Sequence, residues 1–87
     1  MNNDHRVLVI GGGSFGTVLA DIVANNGYAS CLWMRDEDRA TKIRNSRINE
    51  RYLPGFRLHA DLQISTHLET AIAEADTILF SVPSKVF

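Results

Sequence analysis

Cysteine and proline are scarce in this 87-residue sequence, which has one of the first and two of the second. A single cysteine, Cys31, excludes an internal disulfide framework and suits a reducing compartment. Three histidines, His5, His59 and His67, stand at spacings that fit no ligand motif. No metal cage is expected, and each histidine reads as solvated or locally hydrogen-bonded. Charge of one sign is also missing: nine Lys and Arg against ten Asp and Glu leave a formal net charge of −1. That balance argues against a dedicated nucleic-acid binder. The first apolar run, Val7-Leu8-Val9-Ile10, is far too short for a signal-peptide core or a membrane span. No membrane association is expected, and the chain reads as cytoplasmic. Internal repeats, Pro- or Ser-rich linkers and low-complexity tracts are absent as well.

What is present describes one small folded domain, or part of one, with 45% hydrophobic and 22% charged residues. Residues 7–10 are consecutive, mostly β-branched apolar residues with turn glycines behind them, which predicts a central strand buried on both faces. From 14 to 26 the apolar Phe15, Val18, Leu19, Ile22 and Val23 recur at helical spacing, and Asn26-Gly27 supplies a left-handed stop. Residues 29–34 form a second strand at the distance that a β-α-β crossover requires. Asp36-Glu37-Asp38 opens a short polar helix with a thin apolar face at Ala40 and Ile43. The stretch 45–63, with its Pro54-Gly55 pair, reads as an irregular excursion with at most short strands. Thr66 and Glu69 form a capping box leading into Leu68, Ala71, Ile72 and Ala75, and residues 77–82 form a last buried strand that Pro83 ends. Cys31, inside the second strand without a neighbouring Lys or His, reads as an inert core thiol.

The chemistry sits directly after the first strand, where Gly11-Gly12-Gly13-Ser14-Phe15-Gly16 satisfies G-x-G-x-x-G. Gly11 allows the tight strand-to-helix turn, Gly13 lets the backbone approach a pyrophosphate, and Gly16 lets the helix press on the strand. Free N–H groups and the dipole at the helix start then hold the phosphates, and the Ser14 hydroxyl reads as a helix-start or phosphate contact rather than a nucleophile. With a strand before it and a helix and a second strand after it, the loop predicts a nicotinamide dinucleotide site. It also predicts an α/β fold: a Rossmann-type parallel sheet with flanking helices, of which this chain holds the N-terminal half. At the end of the second strand, Arg35 could pair with a 2′-phosphate, favouring NADP, and is the preferred reader. Asp36 is the competing candidate, for the ribose hydroxyls of NAD, and could instead simply begin the next helix. Seven of the nine basic residues (Arg35, Arg39, Lys42, Arg44, Arg47, Arg51 and Arg57) fall between 35 and 57. They form either a field for a polyanionic cofactor or an ordinary solvated face.

Four pieces of the sequence resemble the NAD(P)-dependent glycerol-3-phosphate dehydrogenases of the bacterial biosynthetic type. They are the loop running into Thr17, Leu32-Trp33 with Arg35, Arg47-Ile48-Asn49-Glu50-Arg51-Tyr52-Leu53-Pro54-Gly55, and Val82-Pro83-Ser84. The Asn-x-x-Tyr-Leu-Pro-Gly piece discriminates, because the glycine loop alone suits many dehydrogenases. The resemblance implies reversible reduction of dihydroxyacetone phosphate to sn-glycerol 3-phosphate for glycerophospholipid synthesis, by an enzyme expected to be a homodimer. It places Ser14 and Phe15 on the cofactor, Arg35 at the adenosine phosphate, and Val82, Pro83 and Ser84 beside the bound dinucleotide. Phe15 keeps the ring that this family often supplies as Trp or Tyr, without its polar handle.

The family's catalytic lysines and substrate domain correspond to nothing in these 87 residues, since Lys42 and Lys85 match neither position. The chain is therefore expected to bind cofactor without turning over substrate. A stand-alone dinucleotide-binding module, or the cofactor domain of a 6-phosphogluconate or ketopantoate reductase relative, are the alternatives. With half of a sheet, the strand at 77–82 is expected to leave an unpaired apolar edge, making the chain marginal in stability or prone to associate.

Overall fold

A computed structural model describes residues 3–11 and 13–81. Four strands, β1 (Asn3–Ile10), β2 (Tyr28–Trp33), β3 (Gln63–Ser65) and β4 (Thr77–Phe80), form one sheet in the order β3-β2-β1-β4. Every pairing within it is parallel. Three helices, α1 (Ser14–Asn25), α2 (Glu37–Ser46) and α3 (Leu68–Glu74), connect the strands. The chain builds outward from β1 to β2 and β3, then crosses back to lay β4 on the other side of β1. That reversal opens a crevice at the carboxyl ends of β1 and β4, where open α/β sheets bind ligands.

β1 is the central strand expected, with Val7, Leu8 and Val9 all buried. It begins earlier than the apolar run, because the polar start also finds backbone partners. Asn3 pairs with Tyr28 before a register shift, and the Arg6 carbonyl accepts from the Asp76 N–H at 2.8 Å. The short strand β3 lies at the end of the stretch read as irregular. Only Ile64 of its three residues is buried, too short a pattern to stand out from a loop.

Helix α1 has the expected span but a different inner face. The residues it buries are Gly16, Thr17, Ala20, Asp21 and Ala24, while Phe15 and Ile22 are 71% and 51% exposed. A helix pressed closely on a sheet needs small residues in the contact, so the large apolar side chains are turned to its flanks and outer side. Ala20 and Ala24 there join Val9, Leu32, Met34, Ala40, Ile43, Leu58, Leu62 and Ile64 in the core. The thin face of α2, Ala40 and Ile43, is thus fully used.

The capping box is not formed. The N-cap of α3 is His67, one residue later, which puts Glu69 at the second helical position rather than the third. The Thr66 hydroxyl instead donates to Glu37 Oε1, a charge-assisted bond to a carboxylate that also accepts from Thr41 Oγ1 and pairs with Arg44 at 3.1 Å. Together these contacts clasp α2 to the end of β3. The hydrogen bond from Thr66, with that from Arg44, holds the Glu37 carboxyl below its ordinary value of 4.5. A lowered folded-state value means that the clasp stabilises above the unfolded value and is lost as pH falls through the folded one. Glu37→Gln should therefore flatten the acid limb of the melting-temperature profile below about pH 4.5. Thermal melts from pH 6 to 3 check this, and parallel wild-type and variant profiles would refute it.

β4 lies at the sheet edge, and no described residue pairs with its outer side. Its side chains are only half-buried and Phe80 is 72% exposed, so the apolar edge is present where it was expected. The strand occupies 77–80 among the described residues. No helix among the described residues is long and apolar enough to cross a membrane.

Candidate functional site

The turn after β1 brings three elements to one point. Gly11 N–H donates to the Trp33 carbonyl at the end of β2, and Ser81 N–H donates to the Ile10 carbonyl at the end of β4. Gly11 has φ +127°, and a Cβ built on it would lie 2.0 Å from the Ser81 carbonyl oxygen. A Cβ on Gly16 would lie 2.1 Å from the Gly11 carbonyl oxygen. Both glycines are therefore required by the protein itself, one for the turn and one for the approach of α1. Gly13 differs: a Cβ there would meet nothing within 4 Å. It is the N-cap of α1, in extended conformation, and offers no side chain to the first-turn N–H groups. Those donors have no partners within a helix, and no acidic side chain stands in the first turn. A helix start whose first-turn N–H groups have no partners within the helix, with open space at Gly13, is a cradle that a phosphate would fill, so the residues present fit a dinucleotide.

The segment 48–55 closes one side of this cradle. Ser14 Oγ donates to the Tyr52 carbonyl at 3.1 Å, and Asn49 Nδ2 donates to Thr17 Oγ1 at 3.0 Å. Asn49 is 1% exposed, unusual for a polar residue in a loop, and its backbone carbonyl accepts from the Tyr52 and Leu53 N–H groups. The guanidinium groups of Arg39 and Arg51 lie 5.1 and 5.5 Å from the centre of the Tyr52 ring.

The root of the segment is Arg47, whose φ of +63° ends α2 in left-handed conformation. Its guanidinium donates to the His59 and Leu62 carbonyls, and its own carbonyl accepts from Leu58 N–H. Asp21, buried on α1, accepts from His59 N–H at 2.6 Å and from Asn25 Nδ2 at 3.0 Å. The sequence marks Asn49 through the family resemblance and Arg47 through that resemblance and the basic run, and it does not mark Asp21. Nothing in the periodicity points to Asp21, which lies on the polar side of the apolar pattern and is buried only because the opposite face of α1 meets the sheet.

Past β2, Met34 is buried, Arg35 is exposed, and Asp36 is the N-cap of α2. Asp36 Oδ1 accepts from the Asp38 and Arg39 N–H groups, as expected of a residue that begins a helix. No bond joins Arg35 to another described residue. The basic run is not a uniform field: Arg44 is tied to Glu37 and the Ile64 carbonyl, and Arg47 to its carbonyls, while Arg35, Lys42 and Arg57 are exposed. Val82, Pro83 and Ser84 lie outside the described residues, as do Gly12 and Lys85; Ser81 leads directly to the first three.

Cys31 is half-exposed rather than in the core, because it faces the thinly covered side of the sheet beside Arg6, Gln63 and Glu74. Desolvation still raises its thiol above the ordinary value, with the Glu74 charge adding to the effect, so it is a poor nucleophile at neutral pH. His5 Nε2 bonds Thr77 Oγ1 between the neighbouring strands β1 and β4, whereas His59 Nδ1 accepts locally from Asp61 N–H. No cluster of three or more His, Cys, Asp or Glu suited to a metal occurs among the described residues.

A parallel sheet in this strand order, with a G-x-G-x-x-G turn at its reversal point, defines a Rossmann-type dinucleotide-binding fold. The chain belongs to the family described as NAD-dependent glycerol-3-phosphate dehydrogenase N-terminus, matched over residues 6–87. Over all 87 residues it is 52% identical to the glycerol-3-phosphate dehydrogenase [NAD(P)+] of Teredinibacter turnerae and 47% identical to that of Saccharophagus degradans. It spans 26% and 24% of their lengths. Among solved structures, a glycerol-3-phosphate dehydrogenase from Coxiella burnetii superposes with a TM-score of 0.83 at 31% identity, covering 93% of this chain and 25% of that one. The Saccharomyces cerevisiae enzyme gives 0.84 at 28% identity, covering 94% and 27%.

Proposed function

We propose that residues 1–87 are the N-terminal part of the NAD(P)-binding domain of a glycerol-3-phosphate dehydrogenase. The full enzyme would reduce dihydroxyacetone phosphate to sn-glycerol 3-phosphate in the cytoplasm, as a homodimer, for glycerophospholipid synthesis. The substrate domain and the groups that act on the substrate carbonyl belong to regions of the relatives that this chain does not span. The observation that carries the reading is the contrast among the three glycines: two are filled by the protein's own backbone, and the third faces open space at a helix N-terminus.

A bound nicotinamide supplies the hydride, and the residues of this chain bind and orient its carrier. Gly13 and the first-turn N–H groups of α1 receive the pyrophosphate. Ser14, held by the Tyr52 carbonyl, and the exposed Phe15 flank it, and the family resemblance adds Val82, Pro83 and Ser84 as further contacts to the dinucleotide. NADP is preferred over NAD because Arg35 is exposed to take a 2′-phosphate, whereas one Asp36 oxygen already caps α2. Asp36 remains close enough in sequence to shape the ribose end.

Fluorescence of Trp33, two residues from Arg35, tests the proposal. NADPH should quench it saturably and more tightly than NADH. Arg35→Ala should weaken NADPH about tenfold or more while changing NADH little, the scale of a lost charge-assisted contact. A folded chain that binds neither dinucleotide would overturn the reading, and an Arg35→Ala effect equal on both would overturn the assignment of Arg35.

A further inference from the structure

We propose that Thr17 and Asn49 are positioning residues for the phosphate cradle: Asn49, acting through the Thr17 hydroxyl, fixes the Gly13–Ser14 peptide with its N–H turned out of α1. The inference rests on the glycine loop being the pyrophosphate site. Thr17 is 0% exposed and Asn49 1%, and they come from elements 32 residues apart in the chain. A hydroxyl has one proton and two lone pairs. Asn49 Nδ2 donates to Thr17 Oγ1 at 3.0 Å, and Thr17 Oγ1 donates to the Gly13 carbonyl at 2.7 Å. Because Asn49 presents hydrogens to that oxygen, the Thr17 proton is directed onto Gly13.

The same carbonyl already accepts the Thr17 N–H at 2.9 Å, the ordinary helical bond. A second bond to it is not needed to close the turn, and back-bonding of this kind slightly destabilises helices on its own. Its effect is on orientation. The Gly13–Ser14 bond is trans, since no cis peptide occurs among the described residues, so its C=O and N–H point in opposite directions. Gripping the carbonyl with two donors from inside the helix holds the Ser14 N–H outward, at the end where the helix dipole is positive. Gly13 has no Cβ to restrict its rotation, so local sterics alone do not fix the orientation of this peptide. The discriminating segment around Asn49 thereby acts on the cradle as well as covering it.

The test compares NADPH and NADH affinities, by Trp33 fluorescence, in the wild-type chain, Thr17→Val and Thr17→Ser. Thr17→Val preserves shape and removes the donor, and should weaken both dinucleotides equally by about tenfold, the scale of one lost hydrogen bond to a charged group. Thr17→Ser keeps the hydroxyl and should stay within about twofold of wild type. A purely structural role would lower the melting temperature and leave the affinities of the folded variant unchanged, which would overturn the inference while leaving the cradle intact. Wild-type chain that binds neither dinucleotide would overturn the cradle itself. A measurement on the unmutated chain covers the case in which Thr17→Val does not fold. NADPH should move the Ser14 amide proton downfield, and an unmoved Ser14 amide in a saturated complex would refute the proposal.

Discussion

Gly13→Ala should leave the fold standing and remove most dinucleotide binding, whereas the same change at Gly11 or Gly16 should unfold the chain. At Gly16 the new Cβ would sit 2.1 Å from the Gly11 carbonyl oxygen, a backbone atom that cannot turn aside. Overpacking of this kind costs about 1–3 kcal/mol, and more where backbone must move. At Gly11 the clash with the Ser81 carbonyl is joined by a φ of +127°, a conformation that adds about 1–3 kcal/mol for any residue with a side chain. A domain of this length has on the order of 4–13 kcal/mol in total, so either change takes a large share. Gly13 has φ −75° and ψ −174°, which alanine adopts freely. Its substitution costs only about 1 kcal/mol, for replacing a glycine N-cap by alanine. Yet the added methyl would occupy the space that a pyrophosphate needs, and affinity should fall by at least about tenfold, the loss of roughly one phosphate contact. Circular dichroism melts with calorimetric NADPH titrations separate the two classes. Equal destabilisation at all three positions would mean that Gly13 too is structural.

Arg47→Ala should destabilise the chain by about 2–4 kcal/mol, and Arg47→Gly by about 1 kcal/mol less. Removing the guanidinium strips donors from the His59 and Leu62 carbonyls, which hold the end of the 48–62 excursion against the core residues Leu58 and Leu62. Alanine also keeps the burden of a positive φ, while glycine relieves it. The order wild type, glycine, alanine reverses the usual helix ranking of the two small residues. Urea unfolding measures it, and alanine more stable than glycine would show that the left-handed turn is not retained. Both variants should also weaken NADPH, since the loop rooted at Arg47 carries Asn49 and Tyr52 to the start of α1.

Local pattern was enough for what depends on backbone chemistry over a few residues. The apolar run at 7–10 made β1, the acidic cluster at 36–38 started α2, and the glycine spacing marked the turn whose geometry the structure then displayed. Family membership was legible in the same way, through Asn49 to Gly55 as much as through the glycines.

Other features depend on neighbours that are distant in the chain. Apolar periodicity placed α1 but could not tell which side would be pressed on the sheet, because close packing selected Gly16, Ala20 and Ala24 over the larger Phe15 and Ile22. The Thr66-Glu69 box had the right letters, yet the Glu37 carboxylate, 29 residues away, drew the Thr66 hydroxyl and the helix began one residue later. The work of Thr17, Asp21, Arg47 and Asn49 emerged only once the 48–62 excursion had folded back on α1. A buried polar group is defined by the partner that satisfies it, and spacing along a chain does not name that partner.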